Sequence, residues 1–200
     1  YSNVKKLLGQ FINLPKSSCL APFLNIKNKN EEKTLLINII RFLRNIFLYS
    51  EINPKAGSIA KSSFPIPHNH NLYKNKSFGK VDWLPGGILL IKTSDIIKHN
   101  YFQFKGKAYS EDLIHSFLLN KSGIKLFLSS NISFKTPIYS YRDLEYKDFC
   151  KFIKNDLKIR NHFRKLMNKK LNPFLIAYLY ICLTYFATKL KRYIFNLKGL

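Results

Sequence analysis

Acidic residues are scarce in this chain. Only 11 Asp plus Glu stand against 34 Lys plus Arg in 200 residues, a formal net charge of +23. Such a surface disfavours cationic partners and favours anionic ones: nucleic acid, anionic lipid or phosphorylated small molecules. Lys is abundant together with Asn, Ile, Phe and Tyr, a composition that AT-rich coding also produces, so the charge alone does not argue for nucleic acid. Cysteine is equally sparse. Cys19, Cys150 and Cys182 are far apart, which gives neither a metal-ligand spacing nor a disulfide framework and points to a reducing compartment. There is no signal-peptide pattern and no internal repeat. No nucleic-acid-binding motif is present, and the basic residues read as scattered rather than aligned on one stripe. Tyr rather than Met stands first, and the chain opens straight into a helical pattern, so a preceding segment is expected.

Apolar residues are plentiful, at 46%, enough for a packed core. Residues 2–14 place apolar side chains at 4, 7, 8, 11, 12 and 14, which is helical spacing, with Ser2 or Asn3 as cap and Pro15 as stop. "SCLAPFLNI" (18–26) reads as a strand, and its internal Pro suggests one ending at the surface. Residues 32–49 read as a long helix and residues 50–80 as a long loop rich in Pro, Ser, Asn, Gly and Lys. "GILLIK" (87–92) predicts a buried strand and "TSDIIKHN" (93–100) a short helix with Thr93 or Ser94 as cap. After a Gly-containing loop at 101–109, "SEDLIHSFLLNKSG" (110–123) predicts a helix capped by Ser110 and ended by Gly123. "IKLFLSS" (124–130) predicts a strand. Strand, helix and strand with tight punctuation give a layered α/β domain.

The character changes near residue 140, which predicts two parts, 1–140 and 141–200. The second is helical and strongly basic, then uncharged from Leu171 to Thr188, with Lys169, Lys170, Lys189, Lys191 and Arg192 at the flanks. Eighteen helical residues cover roughly 27 Å, slightly less than a bilayer core of about 30 Å. Three placements stay open: lying at an anionic membrane surface, packing on protein, or spanning.

Chemistry concentrates in "VDWLPGG" (81–87) and "AYSEDLIHSFLLNKSGIKL" (108–126). Glu111 and Asp112 open a helix, where the dipole favours negative charge. Trp83 offers a stacking face for a sugar ring, Asp82 a hydroxyl acceptor, and Gly86–Gly87 a backbone that a ligand can approach closely; "WLPGG" alone reads equally as a turn leading into a buried strand. His115 lies one helical step from the acidic pair and reads either as a phosphate or acceptor contact or as a polar residue on the helix face. Lys105 and Lys107, around Gly106, read either as diphosphate contacts or as a solvated basic loop.

Taken in order, these two segments resemble the C-terminal half of the catalytic domain of family 2 glycosyltransferases, which have a Rossmann-like GT-A fold. There a W-x-x-G-G segment enters a strand and a short helix. A loop follows, then a helix beginning with Glu-Asp, a Gly and a strand. The likeness covers roughly residues 18–135 and is strongest over 81–130. It implies that Asp112 is the catalytic base, that Glu111 orients the site or meets the acceptor, and that Trp83 and the Gly pair shape the sugar pocket. It also implies a nucleotide-sugar donor, a saccharide or lipid-linked acceptor, inversion at the anomeric carbon, and Mg²⁺ or Mn²⁺ in the complete enzyme.

The chain departs from that pattern in one respect. No Asp-x-Asp occurs, and Asp143-Leu144-Glu145 follows the Glu-Asp helix instead of preceding it. The nucleotide-binding half and the metal ligands are therefore expected upstream of these residues, and the isolated chain is expected to be inactive. The Q-x-x-R-W signature of processive members is also missing, which favours transfer of a single sugar. The resemblance implies a role in cell-surface polysaccharide synthesis at the cytoplasmic face of the membrane, with no specific nucleic acid partner. The alternative is a non-enzymatic basic protein that binds membrane or nucleic acid.

Overall fold

Four strands, β1 (Ser18–Asn25), β2 (Phe78–Lys80), β3 (Leu90–Ile91) and β4 (Lys125–Lys135), form one mixed sheet in the spatial order β2-β4-β1-β3. β1 runs parallel to β4, while β2 and β3 are antiparallel to their neighbours. The helices are α1 (Ser2–Ile12), α2 (Leu35–Arg44), α3 (Glu111–Lys121), α4 (Tyr146–Leu166) and α5 (Leu171–Lys198). The computed structural model describes residues 2–25, 35–69, 76–97, 110–135 and 140–198.

Contacts divide the chain into two units that interleave along the sequence. One comprises Tyr1–Glu31, Lys55–Ile59 and Pro65–Pro137; the other comprises Glu32–Pro54, Ala60–Phe64 and Ile138–Leu200. The second unit thus draws on residues well before 140.

The first unit is a mixed α/β layer structure. Successive side chains of a strand point to opposite faces, and the sheet uses both. Cys19, Ala21, Leu126 and Leu128 pack on one face with Val81, Leu84 and Leu119 of α3. Leu20, Phe127 and Ile132 pack on the other with Leu7 of α1. β1 lies between β4 and β3, and β3 pairs with it only at Cys19 and Leu20. Its Pro22 falls where the β1–β4 register shifts, between Ala21 and Phe23, and a bulge is a place where a missing ladder N–H is tolerated.

Three local expectations are corrected. "GILLIK" yields only the two-residue β3, half-buried. "TSDII" yields one 3₁₀ turn over Thr93–Asp95, with no side-chain cap from Lys92, which occupies the cap position. The loop at 50–80 ends in an unforeseen strand, β2. Residues 98–109, including Lys105 and Lys107, lie outside the described residues.

The second unit is built on a helical hairpin. Phe149 of α4 stacks on Tyr185 of α5, with ring centroids 3.6 Å apart. Asp156 meets Tyr178 further along, and Arg164 lies over Phe174 near the turn. Contacts that run down one helix and up the other define an antiparallel pair. The helix expected at 32–49 is regular over Leu35–Arg44. It then widens into a π-turn, Asn45–Tyr49, which ends at Ser50 in the left-handed region. Residues 32–34 lie outside the described part.

Within this hairpin Asp156 and Arg160, one helical turn apart, are buried together. Arg160 makes two bonds to the carboxylate, at 3.2 and 3.0 Å. The Tyr178 hydroxyl donates to the same carboxylate at 2.6 Å. The guanidinium lies 4.2 Å from the centre of the Phe64 ring. Burial, with the Asp156 carboxylate adding to it, holds the Tyr178 phenol well above its ordinary range, so it stays a donor.

Candidate functional site

The segment at 82–86 and helix α3 are joined along their length. Asp112, Ser116 and Asn120 are four residues apart and share one face of α3. At one end, Gly86 lies close against Asp112: a Cβ added to it would meet the Asp112 Cβ at 3.3 Å, a tight contact that needs a small shift of Asp112. In the middle, the buried Leu84 N–H donates to Ser116 Oγ at 2.9 Å. At the other end, Asn120 Nδ2 donates to the Asp82 carbonyl at 3.1 Å. Two residues of extended chain advance about 6.6 Å and four of helix about 6 Å. The spacings match, and the two sequence segments dock side by side in opposite directions.

This arrangement places the expected residues differently. Asp112 is half-buried at the start of α3, and its Oδ1 accepts the Leu113 N–H at 3.0 Å. Glu111 is exposed beside it. The Ser110 cap is corrected: Ser110 has φ 63 and gives no side-chain capping bond. The Gly123 stop holds, with φ 83. Gly86 and Gly87 are unequal. Gly86 abuts Asp112, whereas a Cβ at Gly87 would meet nothing within 4 Å. The Asp82 side chain is exposed, and its N–H is tied to the Gly57 carbonyl at 2.9 Å. His115 is half-buried, and burial pushes its pKa down.

Trp83 is held by groups that sequence reasoning missed. Its indole N–H donates to the Ile66 carbonyl at 3.1 Å. Its ring lies 4.2 Å, centroid to centroid, from His68. His68 Nε2 lies 3.0 Å from the Trp83 carbonyl, and because a carbonyl only accepts, Nε2 carries the proton. Nothing in "PIPHNH" marks His68 as more than a loop residue; only the fold brings it under Trp83.

Burial lowers the His68 pKa from 6.5 to about 4, partly opposed by the Trp83 carbonyl. The folded chain therefore keeps the ring neutral while the unfolded chain takes up a proton. The contribution of His68 to stability is complete above pH 6.5 and falls away as pH drops through 6.5 toward 4. Urea midpoints should decline across that window, and less steeply in His68→Gln. An equal decline in both proteins would remove His68 as the cause.

Among the described residues no three His, Cys, Asp or Glu side chains gather as a metal site. Asp143 instead pairs with Arg192, and Glu145 lies 3.8 Å from Lys189. Two shallow clefts of the first unit are lined by residues other than the Asp112 face. One, of about 450 Å³, lies beside Lys6, Gln10 and Asn131; the other, of about 500 Å³, lies beside Lys55, Lys76 and Lys80. Compared with protein-family models, curated proteins and solved structures, the chain matches none.

Proposed function

We propose that this chain supplies the acceptor side of an inverting glycosyltransferase of GT-A type. It would transfer one sugar from a nucleotide-sugar donor to a saccharide or lipid-linked acceptor, at the cytoplasmic face of the membrane, in cell-surface polysaccharide synthesis. The observation that carries the reading is the docking of Gly86 against Asp112, held in register by Ser116 and Asn120. It sets one half-buried carboxylate beside a glycine, where the facing backbone carries no side chain. Parallel β1 and β4, with α3 packed on their sheet, are consistent with the GT-A arrangement.

In the proposed step the Asp112 carboxylate takes the acceptor hydroxyl proton while that oxygen bonds to the anomeric carbon. The bond from this carbon to the diphosphate oxygen breaks, and its electron pair leaves with the nucleoside diphosphate. Attack opposite the leaving group inverts the centre. Exposed Glu111 and Asp82 would meet acceptor hydroxyls, His115 the acceptor or a phosphate, and Trp83 a sugar face. Among the described residues no ligand set for the divalent cation is gathered.

The test is a transfer assay over a panel of nucleotide sugars, with product stereochemistry read by NMR. A longer protein carrying an Asp-x-Asp nucleotide half should give inverted product, and the 200-residue chain alone should give none. Turnover by the chain alone, or retention of configuration, would sink the reading.

One observation favours the basic-binding alternative. Lys147, Lys151, Lys154, Lys158 and Lys165 are all exposed on α4, and their spacing puts them on one helical face. The impression of scattered charge is thereby corrected for this helix. Binding to RNA or DNA that weakens steeply with salt, without sequence preference, would mark the stripe as a generic basic surface.

A further inference from the structure

The second unit carries an apolar face that is exposed among the described residues. On α5, Leu171, Leu175, Leu179, Leu183, Phe186 and Leu190 are each 47 to 60% exposed. Their steps of three and four residues set them in one stripe along nearly the full helix. The stripe is about 30 Å long at 1.5 Å per residue. The opposite side of α5 is buried through Phe174, Ala177, Tyr178, Ile181 and Tyr185. α2 adds a second uncovered surface, with Leu35, Ile39, Ile40, Phe42 and Leu43 all at least 42% exposed. The π-turn that ends α2 is fastened to α5 by Phe47 stacked on Tyr180, with centroids 6.2 Å apart. By helical position Tyr180 borders the α5 stripe.

We propose that α5 and α2 together form a face that lies in the surface of an anionic bilayer, with α5 parallel to the membrane rather than across it. The charge pattern selects the occupant. No Asp or Glu occurs from 171 to 198 or from 35 to 49, while Lys169, Lys170, Lys189, Lys191 and Arg192 stand at the ends of the α5 stripe and Arg41 and Arg44 on α2; of these, Lys189 lies near Glu145 and Arg192 pairs with Asp143, which leaves the basic residues in excess at both ends. Anionic headgroups complement such ends, and acyl chains cover what lies between. A second copy does not fit as well. Stripe against stripe, in either direction, sets the basic end of one copy on a basic end of the other. The buried side of α5 decides the orientation. Its Tyr178 bonds to Asp156, which is paired with Arg160, and drawing α5 through a bilayer would strip that pair open or carry it into hydrocarbon. The inference extends the membrane placement proposed above but is independent of sugar transfer.

Co-sedimentation of the 200-residue chain with vesicles tests it. One set is phosphatidylcholine alone; the other contains about one third phosphatidylglycerol. Strong binding is expected only to the anionic set, weakening as salt rises. Leu179→Glu with Leu183→Glu should lose roughly tenfold or more in partitioning, and Ile40→Glu with Leu43→Glu should lose at least several-fold. Circular dichroism checks that helicity is kept. Where the charged variants do not fold, Leu183→Trp with bromine-labelled acyl chains takes their place, and strong quenching beyond that of Trp83 is expected. Wild-type binding by both Glu pairs, absence of quenching, or equal binding to neutral vesicles would overturn the proposal. So would a dimer, seen by ultracentrifugation without lipid, that the Leu179→Glu, Leu183→Glu pair abolishes while the parent ignores vesicles. Transfer activity of the longer protein carrying the Asp-x-Asp half, with no vesicle binding by the 200-residue chain, would remove this inference and leave the catalytic reading intact. Vesicle binding by the chain, with no activity in that longer protein, would do the reverse.

Discussion

On the proposed reading, replacing Asp112 with Asn in a longer protein carrying an Asp-x-Asp nucleotide half should lower kcat for sugar transfer by roughly 10² to 10⁴, the range that a positioned general base contributes. KM should hardly move, because the amide keeps the shape and volume of the carboxylate. Asn also keeps an oxygen able to accept the Leu113 N–H, as Asp112 Oδ1 does at 3.0 Å, so the helix start and the contact with Gly86 should persist. What disappears is the ability to take a proton from the acceptor. Glu111→Gln should cost much less, since Glu111 is exposed and is assigned orientation rather than proton transfer. Initial rates with saturating donor and varied acceptor separate kcat from KM. A D112N rate within a few-fold of the parent would take the base role away from Asp112.

Replacing Asp156 with Asn or Ala should destabilise the second unit by about 3 to 5 kcal/mol, because it leaves a buried guanidinium without its anion. Arg160 is 8% exposed and Asp156 2%, so water cannot replace the lost partner. Tyr178 loses its acceptor in the same stroke. Removing the whole cluster should cost far less. Asp156→Leu, Arg160→Met and Tyr178→Phe together should be close to neutral, since exchanging a buried ion pair for apolar groups of similar size also removes its desolvation penalty. Thermal unfolding of the single and triple variants makes the comparison. A single variant as stable as the parent would show that the pair is hydrated in solution.

Much of the first unit was legible from its sequence because local signals agreed there. Short apolar runs gave β1 and the first half of β4, and the Glu-Asp start with a Gly stop gave α3. What escaped depended on distant partners. β2 is "FGK", three residues with a single apolar side chain, and is a strand only because β4 lies beside it. Asp112, Ser116 and Asn120 are visibly one helical face, but the sequence does not say that the face is met by residues 82–86. In α4, Asp156 and Arg160 look like an ordinary surface pair, and only Phe64 and Tyr178, brought from elsewhere in the chain, bury them. The five-lysine stripe was readable at helical period and was obscured by the number of other basic residues around it.

The interleaving of the two units has a consequence for the order of synthesis. The first unit is complete once residue 137 has been made, but the second needs residues out to α5. Phe64 and the π-turn at Asn45–Tyr49 are therefore translated long before Arg160 and Tyr180, the groups they pack on. Through that interval Phe47 of the π-turn and Phe64 lack the groups they pack on. A nascent chain paused near residue 140 should be the species most prone to aggregate or to be held by a chaperone. Neither unit corresponds to one continuous length of polypeptide that a single cut would release.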